Sequence, residues 1–153
     1  MTTKLSTGAT RMITIPSIVF GEIEVDEHLI YTFEQGIPGI RGVNKFLILD
    51  MEDNPSFKWL QACEPPYLTM MMVDPIIIDE KYQVLLDDGQ MNDLDLEDPN
   101  DAFYMALVVI PEQPKDMTAN LLAPVVFNFK AMKGMQVMIN GSPDLLKVKV
   151  FKG

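Results

Sequence analysis

The residues best suited to nucleophilic chemistry are one histidine, His28, and one cysteine, Cys63. A Cys-His or Ser-His-Asp arrangement in this chain must use His28 as its base. No local motif of a cysteine hydrolase surrounds Cys63, and His28 follows two acidic residues in a charged turn. We therefore expect His28 to be an exposed residue at the start of a strand, and Cys63 to be a small buried apolar residue. This pattern disfavours nucleophilic catalysis.

The 22 acidic residues are the other groups that could catalyse a reaction or bind a metal ion. An EF-hand loop needs alternating oxygen ligands and a glycine at its sixth position, whereas residues 87–89 place the glycine too early and residues 93–97 lack one. The glycines of residues 36–42 are not followed by the Lys-Ser/Thr pair of a phosphate-binding loop, and a turn through Pro38 and Gly39 explains them better. We expect no metal or cofactor. A pair of catalytic carboxylates stays open, because such a pair is defined by a distance in space.

Charge is unevenly distributed along the chain, whose formal net charge is −10. Residues 74–101 hold ten of the 22 acidic residues, opposed only by Lys81. After residue 129 the balance reverses, because five lysines face the single Asp144. Carboxylates repel phosphates, so direct binding of nucleic acid is disfavoured. The acidic stretch is either a solvated face that keeps the protein in solution or a surface matched to a basic protein partner.

The size and composition of the chain favour one globular domain. Its 153 residues are 48% apolar, which is enough to build a core. We expect a mobile, polar start over residues 1–10 and one domain over residues 11–153. A single cysteine excludes an internal disulfide and fits a reducing compartment. No apolar run is long enough to cross a membrane and the N-terminus lacks the apolar core of a signal peptide, so a cytoplasmic location without membrane contact is expected.

Most of the chain has the alternating or continuous apolar pattern of short strands. The predicted strands are residues 18–25, 29–33, 46–49, 58–63, 68–73, 82–86, 102–110, 124–129 and 135–140. The last two are expected to form a hairpin, and residues 90–96 are expected to form one or two helical turns. Frequent Gly and Pro breaks between short strands predict a mainly β fold, a small antiparallel β-barrel-like domain or a sandwich.

Residues 117–129 combine a polar turn with an apolar strand. Pro124 has no N–H to donate, so it fits the first position of the strand. We expect Asn120 to cap the turn and Val125 and Phe127 to fill the core. The twelve methionines of the chain, such as Met132 and Met135 beside the last hairpin, are either gap-fillers of the core or parts of an adaptable apolar groove.

Several segments, taken in their order along the chain, resemble the family of the flagellar assembly factor FliW. They are residues 20–25 (FGEIEV), 33–39 (FEQGIPG), 57–61 (FKWLQ) with Glu64, 73–75 (VDP), 117–124 (MTANLLAP) with Asn128, and 134–137 (GMQV). Together they cover about residues 18–140. The end of the chain departs from the pattern, because residues 142–153 lack a tyrosine-containing tail and residues 147–152 have the character of an added basic strand.

The resemblance implies a small β-barrel-like protein without enzymatic activity. Members of the family bind flagellin in the cytoplasm and also bind CsrA, an RNA-binding regulator that represses flagellin synthesis. Secretion of flagellin would free the factor to capture CsrA, so that synthesis follows export. No feature of the sequence suggests an obligate dimer, and we expect a monomer.

The resemblance also directs attention to two groups of candidate partner-binding residues. The acidic group would lie near the RNA site of CsrA and repel RNA; it consists of Asp87, Asp88, Asp93, Asp95, Glu97 and Asp98. The apolar group would receive an amphipathic segment of flagellin, and it consists of Tyr67, Met132 and Met135. Two alternatives remain at this point, a β-barrel that binds a small molecule and a carboxylate-based hydrolase.

Overall fold

The computed structural model describes residues 3–5 and 11–151 and is built mainly from β-strands. The strands are β1 (Thr3–Leu5), β2 (Met12–Ser17), β3 (Gly21–Asp26), β4 (Ile30–Thr32), β5 (Lys45–Asp50), β6 (Phe57–Ala62), β7 (Thr69–Val73), β8 (Ala102–Val109), β9 (Thr118–Ala119), β10 (Val125–Asn128), β11 (Lys133–Gln136) and β12 (Val148–Lys149). The α-helix of the described residues is α1 (Asp88–Asp93). Short 3₁₀ turns span Glu27–Leu29, Pro75–Ile77, Pro99–Asp101, Pro114–Asp116 and Pro143–Leu146.

Seven strands close into a barrel in the order β10-β11-β4-β5-β6-β7-β8, with β8 pairing back onto β10. All neighbouring pairs are antiparallel except β4 and β11, which join in parallel through Thr32 and Lys133. Strand β8 is eight residues long, so its first half pairs with β10 while its second half pairs with β7 and β9. The mainly β, barrel-like fold predicted from the sequence is therefore confirmed.

Alternate residues of the barrel strands fill its interior, as the period of two in a strand requires. The buried residues of this core are Tyr31, Phe33, Ile37, Val43, Phe46, Leu60, Ala62, Met72, Met105, Val125 and Phe127. Gly134 gives the Phe33 ring its space, because a Cβ atom on Gly134 would lie 2.3 Å from the ring carbon Cζ. The barrel interior is thus a packed core.

Three other segments cover the outward-facing apolar residues of the barrel. The sheet of β1, β3 and β2 lies over β5 through Ile15, Ile23 and Leu47. The residues after α1 cover β10 and β11, and the chain from β9 to β12 covers β7 and β8. Residues on both faces of the barrel strands are therefore buried, which explains why several strands read as nearly continuous apolar runs.

Most predicted strands are confirmed with shifted ends, but two predictions are wrong. Residues 18–20 form the turn between β2 and β3 rather than the start of a strand, and Ile18 is 69% exposed. Residues 82–86 carry no strand at all. The predicted hairpin is confirmed as β10 and β11, and the predicted helix is confirmed as α1, which begins and ends earlier.

The structure contains the predicted turns at Gly39 and Asn120 and a short strand in the basic tail. Gly39 has a positive φ of 92° in the turn that contains Pro38. Asn120 accepts hydrogen bonds from the backbone N–H groups of Leu122 and Ala123, and the basic tail adds the short strand β12 beside β9. No helix in the described ranges is long and apolar enough to cross a membrane.

The predicted mobile start over residues 1–10 lies outside the described residues, except for Thr3–Leu5, which pair in parallel with β3. The division into this start and one domain over residues 11–153 stays a prediction.

Candidate functional site

The acidic stretch, residues 74–101, is called the acidic segment below, and its helix is held by a capping box. The Asp87 carboxylate accepts a hydrogen bond from the Gln90 N–H at 2.7 Å, and the Gln90 side-chain oxygen accepts one from the Asp87 N–H at 3.0 Å. This reciprocal pair satisfies two N–H groups that would otherwise lack partners at the helix start. Asp98 similarly accepts from the Asn100 N–H at 2.9 Å and begins the next turn. Two of the six predicted acidic residues therefore shape the backbone.

The acidic segment is attached to the barrel by apolar contacts and by one buried amide. Leu94 and Leu96 are buried against Val126 and Met135 on the outside of β10 and β11. Asn128, which is 2% exposed, donates from Nδ2 to the carbonyl oxygens of Leu94 at 2.8 Å and of Asp95 at 3.2 Å. The Asn128 Oδ1 atom accepts from the backbone N–H groups of the following hairpin turn. One side chain thus fixes the acidic segment and the β10–β11 turn together.

Lys133 links the acidic segment to the loop after β4. Its Nζ atom lies 2.7 Å from a carboxylate oxygen of Asp95 and 2.7 Å from one of Glu34. Hydrogen bonds to these two carboxylates raise the pKa of Lys133 to about 12, so its ammonium stays charged in any cellular setting. Asp93 accepts a hydrogen bond from the Gln35 side chain at 3.3 Å. Asp93 is therefore linked to the loop after β4 directly, and Asp95 is linked to it through Lys133.

The two remaining predicted carboxylates, Asp88 and Glu97, are exposed and make no ion pair or hydrogen bond within the described part of the chain. Among the lysines of that part, Lys130 and Lys133 contact the acidic segment, through Asp101 and Asp95. Most of the negative charge of the acidic segment consequently faces solvent without a counter-charge. Such a surface attracts and orients basic partners.

A second region is a cavity of about 460 Å³ between β2 and the barrel. It is lined by Ile13, Glu27, His28, Ile30, Thr32, Lys45, Cys63 and Met132. Met132 stands in the β10–β11 turn with a positive φ of 54° and is partly buried there. Thr32 also lines the small cleft beside Asp93 and Lys133. The cavity and the acidic segment are therefore neighbours on the barrel surface.

The other two predicted apolar residues lie elsewhere. Met135 is buried beneath the acidic segment, packed with Leu94 and Leu96. Tyr67 is partly buried and packs against the cluster that joins the β2–β3 hairpin to β5. The buried Gln61 side chain donates to the Tyr67 carbonyl at 3.0 Å and accepts from Ser17 at 2.8 Å, so it ties the Tyr67 loop to that hairpin. The structure does not bring Tyr67, Met132 and Met135 into one patch.

The cavity contains both His28 and Cys63 but does not form a nucleophilic pair. Burial, together with the neighbouring Glu64, raises the pKa of the Cys63 thiol to about 12, although Lys45 opposes this shift. The thiol donates weakly to the Gln61 carbonyl at 3.6 Å, and the His28 side chain is 70% exposed beside Asp26. A protonated thiol is a poor nucleophile. Cys63 is half-buried rather than fully buried, which corrects the expectation of a small buried residue.

Three carboxylates line a cleft of about 160 Å³ beside the β10–β11 turn: Asp95, Glu97 and Asp101. Asp101 lies 3.3 Å from the Lys130 ammonium, and Asp95 is held by Lys133. Two of the three are thus engaged in ion pairs rather than standing as a free acid–base couple. Within the described ranges, no three His, Cys, Asp or Glu side chains are grouped closely enough to hold a metal ion.

Sequence reasoning missed the roles of Gln61 and Lys133 and the exposure of Leu85. Gln61 interrupts an apolar strand, which is a recognisable signal of a buried polar network. Lys133 had no such signal, because its partner Glu34 is 99 positions away in the sequence. Leu85 lies in the predicted strand 82–86, but this segment forms no strand and the Leu85 side chain is 84% exposed.

Comparison with known proteins gives one consistent family. The family model described as "FliW protein" matches residues 14–150. A flagellar assembly factor FliW from Caldanaerobacter subterraneus subsp. tengcongensis is 36% identical over 129 residues, covering 84% of this chain and 86% of that protein. The FliW of Thermosipho africanus is 33% identical over 131 residues, covering 85% and 90%.

A solved structure has the same architecture. The crystal structure of a flagellar assembly factor FliW superposes with a TM-score of 0.83 at 30% identity, covering 92% of this chain and 99% of that one. The similarity therefore spans the barrel, the acidic segment and the β2–β3 hairpin together.

Proposed function

Because the chain belongs to the FliW family of flagellar assembly factors, we propose that it binds unassembled flagellin and the translational regulator CsrA. It would act by binding, without catalysis, in the cytoplasm and as a monomer. The observation that carries the CsrA half of the proposal is the acidic segment, which is anchored to the barrel while much of its charge stays unpaired.

CsrA binds RNA, so its RNA-binding surface must be basic. An acidic surface docked beside it would attract CsrA and repel phosphates. Screening at cellular salt limits this repulsion to about 8 Å, so the acidic residues must lie next to the RNA. In this proposal Asp88, Asp93 and Glu97 contribute charge that no lysine of the described ranges offsets. Asp95 is paired with Lys133, and Asp87 and Asp98 mainly hold the backbone in place.

Flagellin would use the neighbouring cavity. Its terminal segments are amphipathic helices in the filament, so an unassembled copy offers an apolar helical face. The cavity supplies Ile13, Ile30 and Met132 as an apolar lining and is open to the surface. Met135 is buried beneath the acidic segment and Tyr67 packs against the cluster under the β2–β3 hairpin, so Met132 is the one of the three candidates that would contact flagellin here.

The shared border of the two regions gives the proposal a regulatory consequence. Thr32 lines both the cavity and the cleft beside Asp93, so flagellin in the cavity would crowd a partner on the acidic segment. Export of flagellin would then free the factor to capture CsrA, and flagellin synthesis would follow export.

The proposal is tested by one double variant for CsrA and one single variant for flagellin, and each has a matched control. Asp88→Asn combined with Glu97→Gln removes charge without touching a helix cap, and Glu52→Gln with Asp53→Asn removes the same charge from an exposed turn after β5. We expect the first pair to slow CsrA association several-fold at low salt and the second pair to change it far less. Equal association and equal RNA release by both pairs would contradict the proposed acidic site.

For flagellin, Met132→Gln makes the cavity lining polar, and Met138→Gln changes a methionine that is 66% exposed nearby in the sequence. We expect only Met132→Gln to weaken flagellin binding, about tenfold. Equal weakening by both variants, or none by either, would rule out the cavity as the flagellin site.

A further inference from the structure

Residues 82–86, with the sequence YQVLL, have the composition and alternation of a strand but belong to no sheet. They connect the 3₁₀ turn at Pro75–Ile77 to helix α1 and lie across the outside of the barrel. β-Branched, aromatic and leucine residues at alternating positions are normally explained by a neighbouring strand. This stretch, called the open edge below, has no such neighbour.

The backbone of the open edge is unpaired over four consecutive residues. The N–H and C=O groups of residues 83–86 make no hydrogen bond with any other residue that the structure describes. The segment is held instead at its ends, by the Tyr82 hydroxyl bonded to the Leu121 carbonyl and by the Asp87 cap of α1. Its backbone groups are therefore available to a partner.

The side chains of the open edge face two ways. Val84 and Leu86 pack towards the cluster of Leu94, Leu96 and Val126, while Gln83 and Leu85 point to solvent. Leu85 is 84% exposed, the largest exposed fraction among the large apolar side chains of the described residues. An exposed leucine beside backbone groups without hydrogen bonds is typical of a segment with which an extended chain can pair.

An apolar groove runs beside the open edge and is bordered by carboxylates. The groove has a volume of about 170 Å³ and is lined by Val84, Leu85, Leu86, Met91, Pro99, Ala102, Tyr104 and Val126. Acidic residues flank the edge on both sides: Asp79 and Glu80 precede Lys81, and Asp87 and Asp88 follow Leu86. Glu97 and Asp98 precede Pro99 on the far wall of the groove. A segment that complements this groove would have an apolar residue in the groove and basic residues on either side of it.

We propose that the open edge is a docking strand, to which an extended segment of a basic protein partner adds by backbone hydrogen bonds. Alternate side chains of that segment would be lysine or arginine facing the carboxylates, and the intervening apolar side chain would enter the groove. Backbone pairing supplies affinity in this mode of recognition, and the alternate side chains supply specificity. The inference rests on the proposed function for the existence of a basic partner and adds how that partner is held.

The probe is an acetylated and amidated seven-residue peptide of alternating lysine and valine, added to the full-length protein. Two further peptides keep the same side chains but carry N-methyl groups on backbone amides. In one the lysine backbone nitrogens are methylated, and in the other the valine backbone nitrogens are methylated. Because only one edge of an added strand pairs with the protein, one methylated peptide should bind at least tenfold more weakly than the parent and the other should not. Backbone amide NMR shifts should map binding to residues 83–86.

Charge variants provide the second readout. Glu80→Gln with Asp88→Asn should weaken the parent peptide several-fold at low salt, whereas Glu52→Gln with Asp53→Asn should not. Equal binding by both methylated peptides, shifts confined to other surfaces, or no binding at millimolar peptide would each overturn the docking strand. CsrA binding measured in parallel separates the two proposals: binding of CsrA without the peptide removes only the docking strand, and binding of the peptide without CsrA removes only the proposed function.

Discussion

Replacing Asn128 tests whether one buried amide holds the acidic segment on the barrel. Asn128 makes four hydrogen bonds: two from Nδ2 to the carbonyls of Leu94 and Asp95, and two at Oδ1 from the N–H groups of Lys130 and Ala131. Asn128→Ala removes all four, whereas Asn128→Asp removes the two donated bonds and keeps the two accepted ones.

Net hydrogen bonds contribute about 0.5–1.5 kcal/mol each, and buried polar groups left without a partner cost more. Lys130 and Ala131 are exposed, so water can replace the bonds to their N–H groups, while the Leu94 carbonyl lies over the barrel. We therefore expect Asn128→Ala to lower the free energy of unfolding by about 3 kcal/mol. Asn120→Ala is the matched control: Asn120 only accepts, from two N–H groups of its own turn, so its replacement should cost roughly half as much.

Urea unfolding gives the global change, and hydrogen exchange of individual amides locates it. Both Asn128 variants should speed exchange at the amide of Met91 in α1 and at that of Leu94 at its C-terminal end, which bond to the carbonyls of Asp87 and Gln90. Asn120→Ala should leave those amides protected. If Asn128→Ala changes stability by less than about 0.5 kcal/mol, or leaves exchange in α1 unchanged, the amide does not anchor the acidic segment.

Three further predictions concern the barrel and the cavity. Gly134→Ala should destabilise the protein by about 1–3 kcal/mol, because its Cβ would overlap the Phe33 ring; an unchanged melting temperature would contradict the packing described. Gln61→Met should cost about 2–4 kcal/mol in urea unfolding, because it removes the acceptor of the Ser17 hydroxyl and the donor to the Tyr67 carbonyl; an equally stable variant would contradict this. Cys63, whose pKa is about 12, should react with iodoacetamide at pH 8 roughly 1,000-fold more slowly than the unfolded chain, with the rate rising as pH increases; a difference within tenfold would refute the raised pKa.

Strands that bury both faces were predictable because their residues carry the pattern directly, as in β5 and β8. The turn at residues 18–20 was not, because its apolar residues resemble a strand start although Ile18 and Val19 are exposed. The bounds of α1 had a usable signal: Asp87 and Gln90 have the spacing of a capping box. The open edge could not be recognised, because strand pairing depends on neighbours distant in sequence.

The candidate site was predictable in its charge and not in its arrangement. Ten acidic residues between positions 74 and 101 are visible without coordinates. That Lys133 joins Asp95 to Glu34, and that Met135 is buried beneath Leu94, follows from how the barrel closes. The density of acidic residues along the sequence predicts an acidic surface. The fold decides which of its carboxylates cap helices and which make no ion pair.

The most direct test of the central claim is to mix the purified protein with CsrA and, separately, with flagellin from the same organism, and to follow complex formation by calorimetry. The proposed function predicts saturable binding of both proteins, and loss of CsrA binding when flagellin is already bound. Binding of neither protein would contradict it.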